Sequence, residues 1–144
     1  MLENGKDSFY IRIQEQLDRE MEILYSKKAI SYFHNPVNIG RMAEPDASAV
    51  VKGSCGDTME MYLLIEDEII KEIKFFTDGC GVTLACGSAV TVMVKGKSIH
   101  EALKISPYGV MDDLGGLPRD GIHCAILSVV TLHKAIADYL LKAG

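Results

Sequence analysis

The sequence is missing what several common functional classes require. Its longest apolar stretch, Ala125–Leu132, is about eight residues and includes Ser128 and Thr131, whereas a membrane span needs about 20. The N-terminal residues Met1-Leu2-Glu3-Asn4-Gly5-Lys6-Asp7 carry neither the basic nor the apolar region of a secretory signal, so a cytoplasmic location is expected. Positive charge is not in excess: the net charge of −5 removes the electrostatic basis for holding nucleic acid. There is no internal repeat, low-complexity tract or linker, and no two cysteines stand in a Cys-x-x-Cys pair. A dinucleotide-binding fingerprint also fails, because Gly79-x-Gly81 is followed by Leu84 where a third glycine is required.

What remains is a chain of 144 residues, 48% hydrophobic and 24% charged, the size and composition of one soluble globular unit. Apolar residues at Ile13, Leu17, Met21 and Leu24 predict an amphipathic helix over 7–26, and a second short helix is expected over 26–32, ending before Asn35-Pro36. The period then shortens. Residues 48–52, 58–65 and 69–76 read as strands, and the acidic Glu66-Asp67-Glu68 between the last two marks a hairpin, giving an antiparallel meander. Helical spacing returns at Val82, Cys86, Ala89, Val90 and Met93 and stops at Gly96. Ser98 and Glu101 form a capping box for a further short helix. Residues 106–121 read as loop with one helical turn, and a final helix runs over 123–142 with the stripe Ile126, Val129, Leu132, Ile136 and Leu140. The order of elements predicts an α+β fold, with helices packed on a three-stranded antiparallel sheet.

The four cysteines gain meaning on this outline. Cys55 lies in Gly53-Ser54-Cys55-Gly56-Asp57, between two strands, and Cys80 lies in Asp78-Gly79-Cys80-Gly81, between a strand and a helix. Cys124 follows His123 at the start of the last helix. In a reducing compartment such cysteines are metal ligands or reactive thiols more readily than disulfides. Helix N-termini favour thiolate, which would act on Cys80 and Cys124. Thiolates joined by one imidazole or carboxylate select zinc or iron–sulfur clusters, and Asp57 and His123 are placed to complete such a set. Cys86, on the apolar face of its helix, reads as core, and His133 reads as packing. His34 is expected in a loop, and His100 and Glu66–Glu68 in solvent. By spacing alone the residues support a soft-metal or thiol site and no more.

At these residues the chain resembles the IscU/NifU N-terminal family of iron–sulfur cluster assembly scaffolds. The likeness runs through Tyr25-Ser26, His34-Asn35-Pro36-Val37-Asn38-Ile39-Gly40, Cys55-Gly56-Asp57, Gly79-Cys80-Gly81, Val94-Lys95-Gly96-Lys97, Leu117-Pro118, His123-Cys124 and Ala137-Asp138-Tyr139. The resemblance implies a non-enzymatic scaffold with a transient [2Fe–2S] cluster on Cys55, Cys80 and Cys124, with Asp57 and His123 as further ligands. Asp57 would make the cluster easier to release, and Cys124 would accept persulfide sulfur from a cysteine desulfurase. Apo iron–sulfur proteins would be the recipients. The implied organisation is a scaffold domain over 25–144 preceded by an N-terminal helical extension over 1–24, which could cover the site, dock on the sheet or form a homo-oligomer. Where many members carry Leu-Pro-Pro-Val-Lys, this chain has Leu117-Pro118-Arg119-Asp120-Gly121, which puts recognition by an Hsp70-type chaperone in doubt.

The alternative is a zinc-containing, SufU-like sulfur-transfer protein acting with a cysteine desulfurase. Such relatives carry a longer insertion before the last cysteine and lack the adjacent histidine, so His123 favours the scaffold reading; zinc could still occupy the same ligands in the isolated protein. A cysteine hydrolase built on His123 and Cys124 would leave Cys55 and Cys80 unexplained. A purely structural module accounts poorly for cysteines in turns.

Overall fold

The acidic segment turns the chain back on itself within two residues. Asp67 and Glu68 both adopt positive φ, 53° and 64°. That is the backbone hand that a two-residue hairpin needs to match strand twist. The flanking strands pair antiparallel with Met61 opposite Phe75 and Leu63 opposite Ile73. In the computed structural model, which describes residues 2–143 and side-chain surroundings from residue 8 onward, the order of elements is α1 (Leu2–Leu24), α2 (Lys27–His34), β1 (Ala47–Lys52), β2 (Thr58–Glu66), β3 (Ile69–Thr77), α3 (Gly81–Val94), α4 (Ile99–Ala102), α5 (Pro107–Asp113), a 3-10 turn (Arg119–Gly121) and α6 (Ile122–Ala143). The sheet order is β1-β2-β3, all antiparallel. The expected α+β fold with a three-stranded antiparallel sheet is what forms.

One face of the sheet is the core. Met59, Met61, Leu63, Ile73 and Phe75 alternate inward and are fully buried. Ile70 is buried too, although strict alternation from Ile73 would turn it outward. The register jumps at Leu64/Ile65, leaving Lys71 without a partner, so the bulge restores Ile70 to the inner face. Against this face lie α6, over β1 and β2, and α3, over β3. The far end of α6 is tied to β1 by Asp138, whose carboxylate accepts the Ser48 N–H at 3.1 Å and pairs with Lys142 at 3.0 Å.

Local signals account for most helix starts. Ser26 caps α2, accepting the Ala29 N–H at 3.0 Å, while its own hydroxyl donates to the Leu114 carbonyl. Ser98 and Glu101 form the expected reciprocal box. Ser106 caps α5 with Pro107 at its first position, so residues 106–121 are more ordered than the loop expected there. The abundance of Gly and Pro in that stretch obscured the cap.

Three further expectations are corrected. Ile126 and Leu140 of the proposed α6 stripe are exposed at 41% and 46%; small residues, Ala125, Ser128 and Ala135, take the inward positions with Val129, Leu132 and Ile136. His34 is the last residue of α2 rather than a loop residue. The stripe on α1 is largely uncovered, with Ile13, Leu17 and Leu24 exposed. Residues 119–143 also form a segment long and apolar enough to cross a membrane, which the short apolar stretch did not suggest, but half of it is buried against the rest of the protein. Its apolarity is that of a core helix.

Candidate metal centre

Three turns meet at one end of the sheet. The first, Gly53–Asp57, links β1 to β2 and is closed by the Gly53 N–H donating to the Asp57 carbonyl at 2.7 Å. Gly56 within it has φ of 91°, a conformation that side chains resist. The second links β3 to α3. It is pinned to the first by the Thr58 N–H donating to Asp78 at 2.8 Å and by the Thr77 hydroxyl donating to the Thr58 carbonyl at 2.7 Å. The third is the entry to α6, where Gly121 lets the chain pass close to Leu117; a Cβ there would lie 2.9 Å from the Leu117 Cβ.

These turns bring together Asp57, Cys80 and Cys124. One ligand atom from each lies within 4.8 Å of the others, the only such group of three among the described residues. Two sulfurs and a carboxylate oxygen are a donor set that zinc and iron accept. A tetrahedral ion with bonds of about 2.0–2.3 Å spaces its donors by roughly 3.3–3.8 Å, so small side-chain rotations would close the set. All four cysteines are free thiols.

The two thiols differ. Cys80 is the N-cap of α3 and is exposed. Its partial burial raises the thiol pKa, but the Thr83 and Val82 N–H groups turned toward the sulfur and its contact with the Thr83 hydroxyl outweigh that effect, leaving it below the ordinary thiol value. Cys124 is buried, and burial lifts its thiol above the ordinary value, assisted by the charges of Cys80, Cys55 and Asp57 and opposed by the Thr83 hydroxyl. A helix-start argument therefore holds for Cys80 and fails for Cys124, where lost solvation wins.

Cys55 and His123 do not join the set. Cys55 sits exposed two residues before Asp57, within electrostatic range of Cys124. His123 is exposed and lines a separate groove with Val51, Lys52, Gly53, Ser54, Ile126, Leu127 and Val130. Consecutive helical residues point about 100° apart, so Cys124 turning inward sends His123 elsewhere.

Cys86 is fully buried and its thiol is pushed far up by burial. We expect Cys86→Ala to load metal like the parent and to lose about 1–2 kcal/mol in denaturant unfolding. Lost metal with unchanged stability would instead make Cys86 a ligand.

Two features at the centre escaped the sequence reading. Thr83, one turn past Cys80, directs a buried hydroxyl to Asp57 Oδ2 at 3.0 Å and to Cys124 Sγ at 3.3 Å. Tyr25 packs edge-on against Phe33 and, with Met21, lines an open hollow of about 330 Å³ beside Cys80, Gly81 and Val82. The last turns of α1 thus reach the site. The Tyr25 hydroxyl is held above its ordinary pKa by burial and then by the nearby Cys80, Cys124 and Asp120.

This is an α+β unit that gathers two cysteines and an aspartate, the donors of a candidate soft-metal site, at the turns of a three-stranded sheet. The NifU-like N-terminal domain profile matches residues 24–144, and the chain belongs to that family. It is 43% identical over 122 residues to iron-sulfur cluster assembly scaffold protein IscU 1 of Archaeoglobus fulgidus, covering 84% of this chain and 80% of that protein. It is 40% identical over 123 residues to the iron-sulfur cluster assembly scaffold protein IscU of Escherichia coli, covering 82% and 95%. Among solved structures, a putative iron-sulfur cluster assembly scaffold protein for the SUF system from Fervidobacterium islandicum superposes with a TM-score of 0.63 at 21% identity, over 79% of this chain and 97% of that one, and shares the fold.

Proposed function

We propose that this protein is an iron–sulfur cluster assembly scaffold, building a transient [2Fe–2S] cluster from iron and desulfurase-derived sulfur and passing it to apoproteins. The observation that carries the reading is the convergence of Asp57, Cys80 and Cys124 from three separate turns. The names and high identity of the relatives support it. The cluster is cargo here, and the ligand set suits cargo: one carboxylate among thiolates weakens ligation at one iron and makes it sensitive to protonation. Cys55, on its glycine-flanked turn, supplies a third sulfur when the turn closes, and His123 becomes an exchangeable ligand only on turning out of its neighbouring groove. In persulfide transfer the Cys124 thiolate attacks the outer sulfur and the desulfurase thiolate leaves, after loss of a proton that burial opposes and bound metal favours. Two electrons from an external reductant then bring each transferred sulfur to sulfide.

In this reading residues 25–144 are the scaffold domain and 1–24 a helical extension. The protein is not an enzyme; it works in the cytoplasm with a cysteine desulfurase and apo acceptors.

Anaerobic reconstitution with iron and sulfide, followed by mixing with apo-ferredoxin, tests it. The expected result is a cluster spectrum that moves to the ferredoxin; a cluster retained indefinitely would contradict donation. We expect Asp57→Cys, which replaces the carboxylate by a further thiolate, to slow that transfer several-fold, and unchanged transfer kinetics would refute the role given to the carboxylate. The same two sulfurs and oxygen also suit zinc, so metal analysis after oxygen-free purification separates the scaffold from a zinc-containing sulfur-transfer protein.

A further inference from the structure

Most buried hydroxyls in this protein turn back onto their own helix. Thr131 donates to the Leu127 carbonyl at 2.7 Å, Ser128 to the Cys124 carbonyl at 3.0 Å and Thr91 to the Ser88 carbonyl at 2.8 Å. Such back-bonding is the ordinary fate of a helical serine or threonine. Thr83 departs from it. Fully buried on the first turn of α3, it directs its hydroxyl out of the helix, 3.0 Å from Asp57 Oδ2, 3.3 Å from Cys124 Sγ and 3.8 Å from Cys80 Sγ. Among the described residues it is the one side chain hydrogen-bonded to all three converging donors.

The neighbouring turn is shaped around this meeting. Gly79 has no side chain where a Cβ would stand 2.7 Å from both Asp57 Oδ2 and Thr83 Oγ1. No other residue type leaves room for the carboxylate and hydroxyl to touch. A hydroxyl has a single proton to give, and the carboxylate, closer and charged, is its better acceptor; the oxygen lone pairs then face the thiols. Asp57 itself sits half-buried at the end of a turn, with rotatable bonds that would otherwise let it swing to water.

We propose that Thr83 is a positioning residue of the metal centre, holding the Asp57 carboxylate against Cys80 and Cys124 so that metal meets donors already assembled. The inference rests on the metal-centre reading above and deepens it. Thr83 is not a ligand. It acts through Asp57, as partners behind a ligand commonly do, and loss of such partners typically weakens metal binding about 10–100-fold.

Cobalt(II) titration of the reduced full-length chain under argon tests this, read by the thiolate-to-cobalt charge-transfer band and the d–d bands. Thr83→Val keeps the shape and removes the hydroxyl. It is expected to weaken cobalt binding about 10–100-fold and to shift the d–d bands. Thr83→Ser should restore the parent's affinity. In an Asp57→Ala background Thr83→Val should cost nothing further, because the two changes remove one interaction. Parent-like affinity in Thr83→Val, or an equal loss with and without Asp57, overturns the proposal. Should the valine variant fail to fold, Thr83→Ala, which cannot crowd its neighbours, gives the same comparison. A parent chain that shows no thiolate–cobalt band overturns the metal centre itself, and this inference with it.

Discussion

Replacing Cys124 or Cys80 with alanine is expected to abolish cluster loading and leave the protein folded. Each change removes one of three donors whose atoms lie within 4.8 Å of one another, and the remaining thiolate and carboxylate are too few to retain a cluster. The fold should tolerate both. Cys80 is exposed at a helix cap, and Cys124 is a small residue on a helix whose burial is spread over nine residues. Melting transitions within about 5 °C of the parent, with no cluster absorbance after reconstitution, are the predicted pair of results. Full loading in either variant would remove that residue from the centre. Cys55→Ala is expected to lose stable loading as well, because a [2Fe–2S] cluster needs four ligands and the Gly53–Asp57 turn carries a further, exposed thiol within electrostatic range of Cys124.

The second large effect is on stability. A Cβ at Gly87 would sit 2.4 Å from Phe75 Cε2 and 2.5 Å from Cδ2. Phe75 has nowhere to go. Its side chain is fully buried, and its backbone is held on the edge of β3 by the Asn38 carbonyl at 3.0 Å and the Gly40 N–H at 2.8 Å. Helix α3 and the sheet must therefore separate to admit a methyl group. Such overpacking costs about 1–3 kcal/mol, and occasionally more, against which alanine's better helix propensity returns about 1 kcal/mol. We expect Gly87→Ala to lower the urea midpoint by the equivalent of about 2 kcal/mol, the upper end of that balance, given that both partners are fixed. An unchanged midpoint would mean that the helix does not pack this closely.

How much of this was legible beforehand depended on whether the signal was local. The hairpin was, because β-branched strands flank an acidic turn; so was α4, whose capping box is complete within four residues. The phase of α6 was less so. A hydrophobic stripe picks out large residues such as Ile126 and Leu140, whereas close packing on the sheet is made by Ala125, Ser128 and Ala135. At the centre, glycine-flanked cysteines in turns indicated a shared site, and the family resemblance named its members. Neither could say that His123 points into a different groove from Cys124. Nor could they say that burial would raise the Cys124 thiol despite its helix start. Thr83 was invisible for a simple reason. In Val82-Thr83-Leu84 it looks like one more residue of an apolar helix, and only the fold aims its hydroxyl at Asp57.

X-ray absorption at the metal edge of protein loaded without oxygen tests the central claim most directly, because it counts the sulfurs around the metal. The account predicts a first shell of sulfur with a lighter oxygen or nitrogen neighbour, and no bound metal to give an edge in Cys80→Ala and Cys124→Ala. A shell of oxygen and nitrogen alone would contradict it.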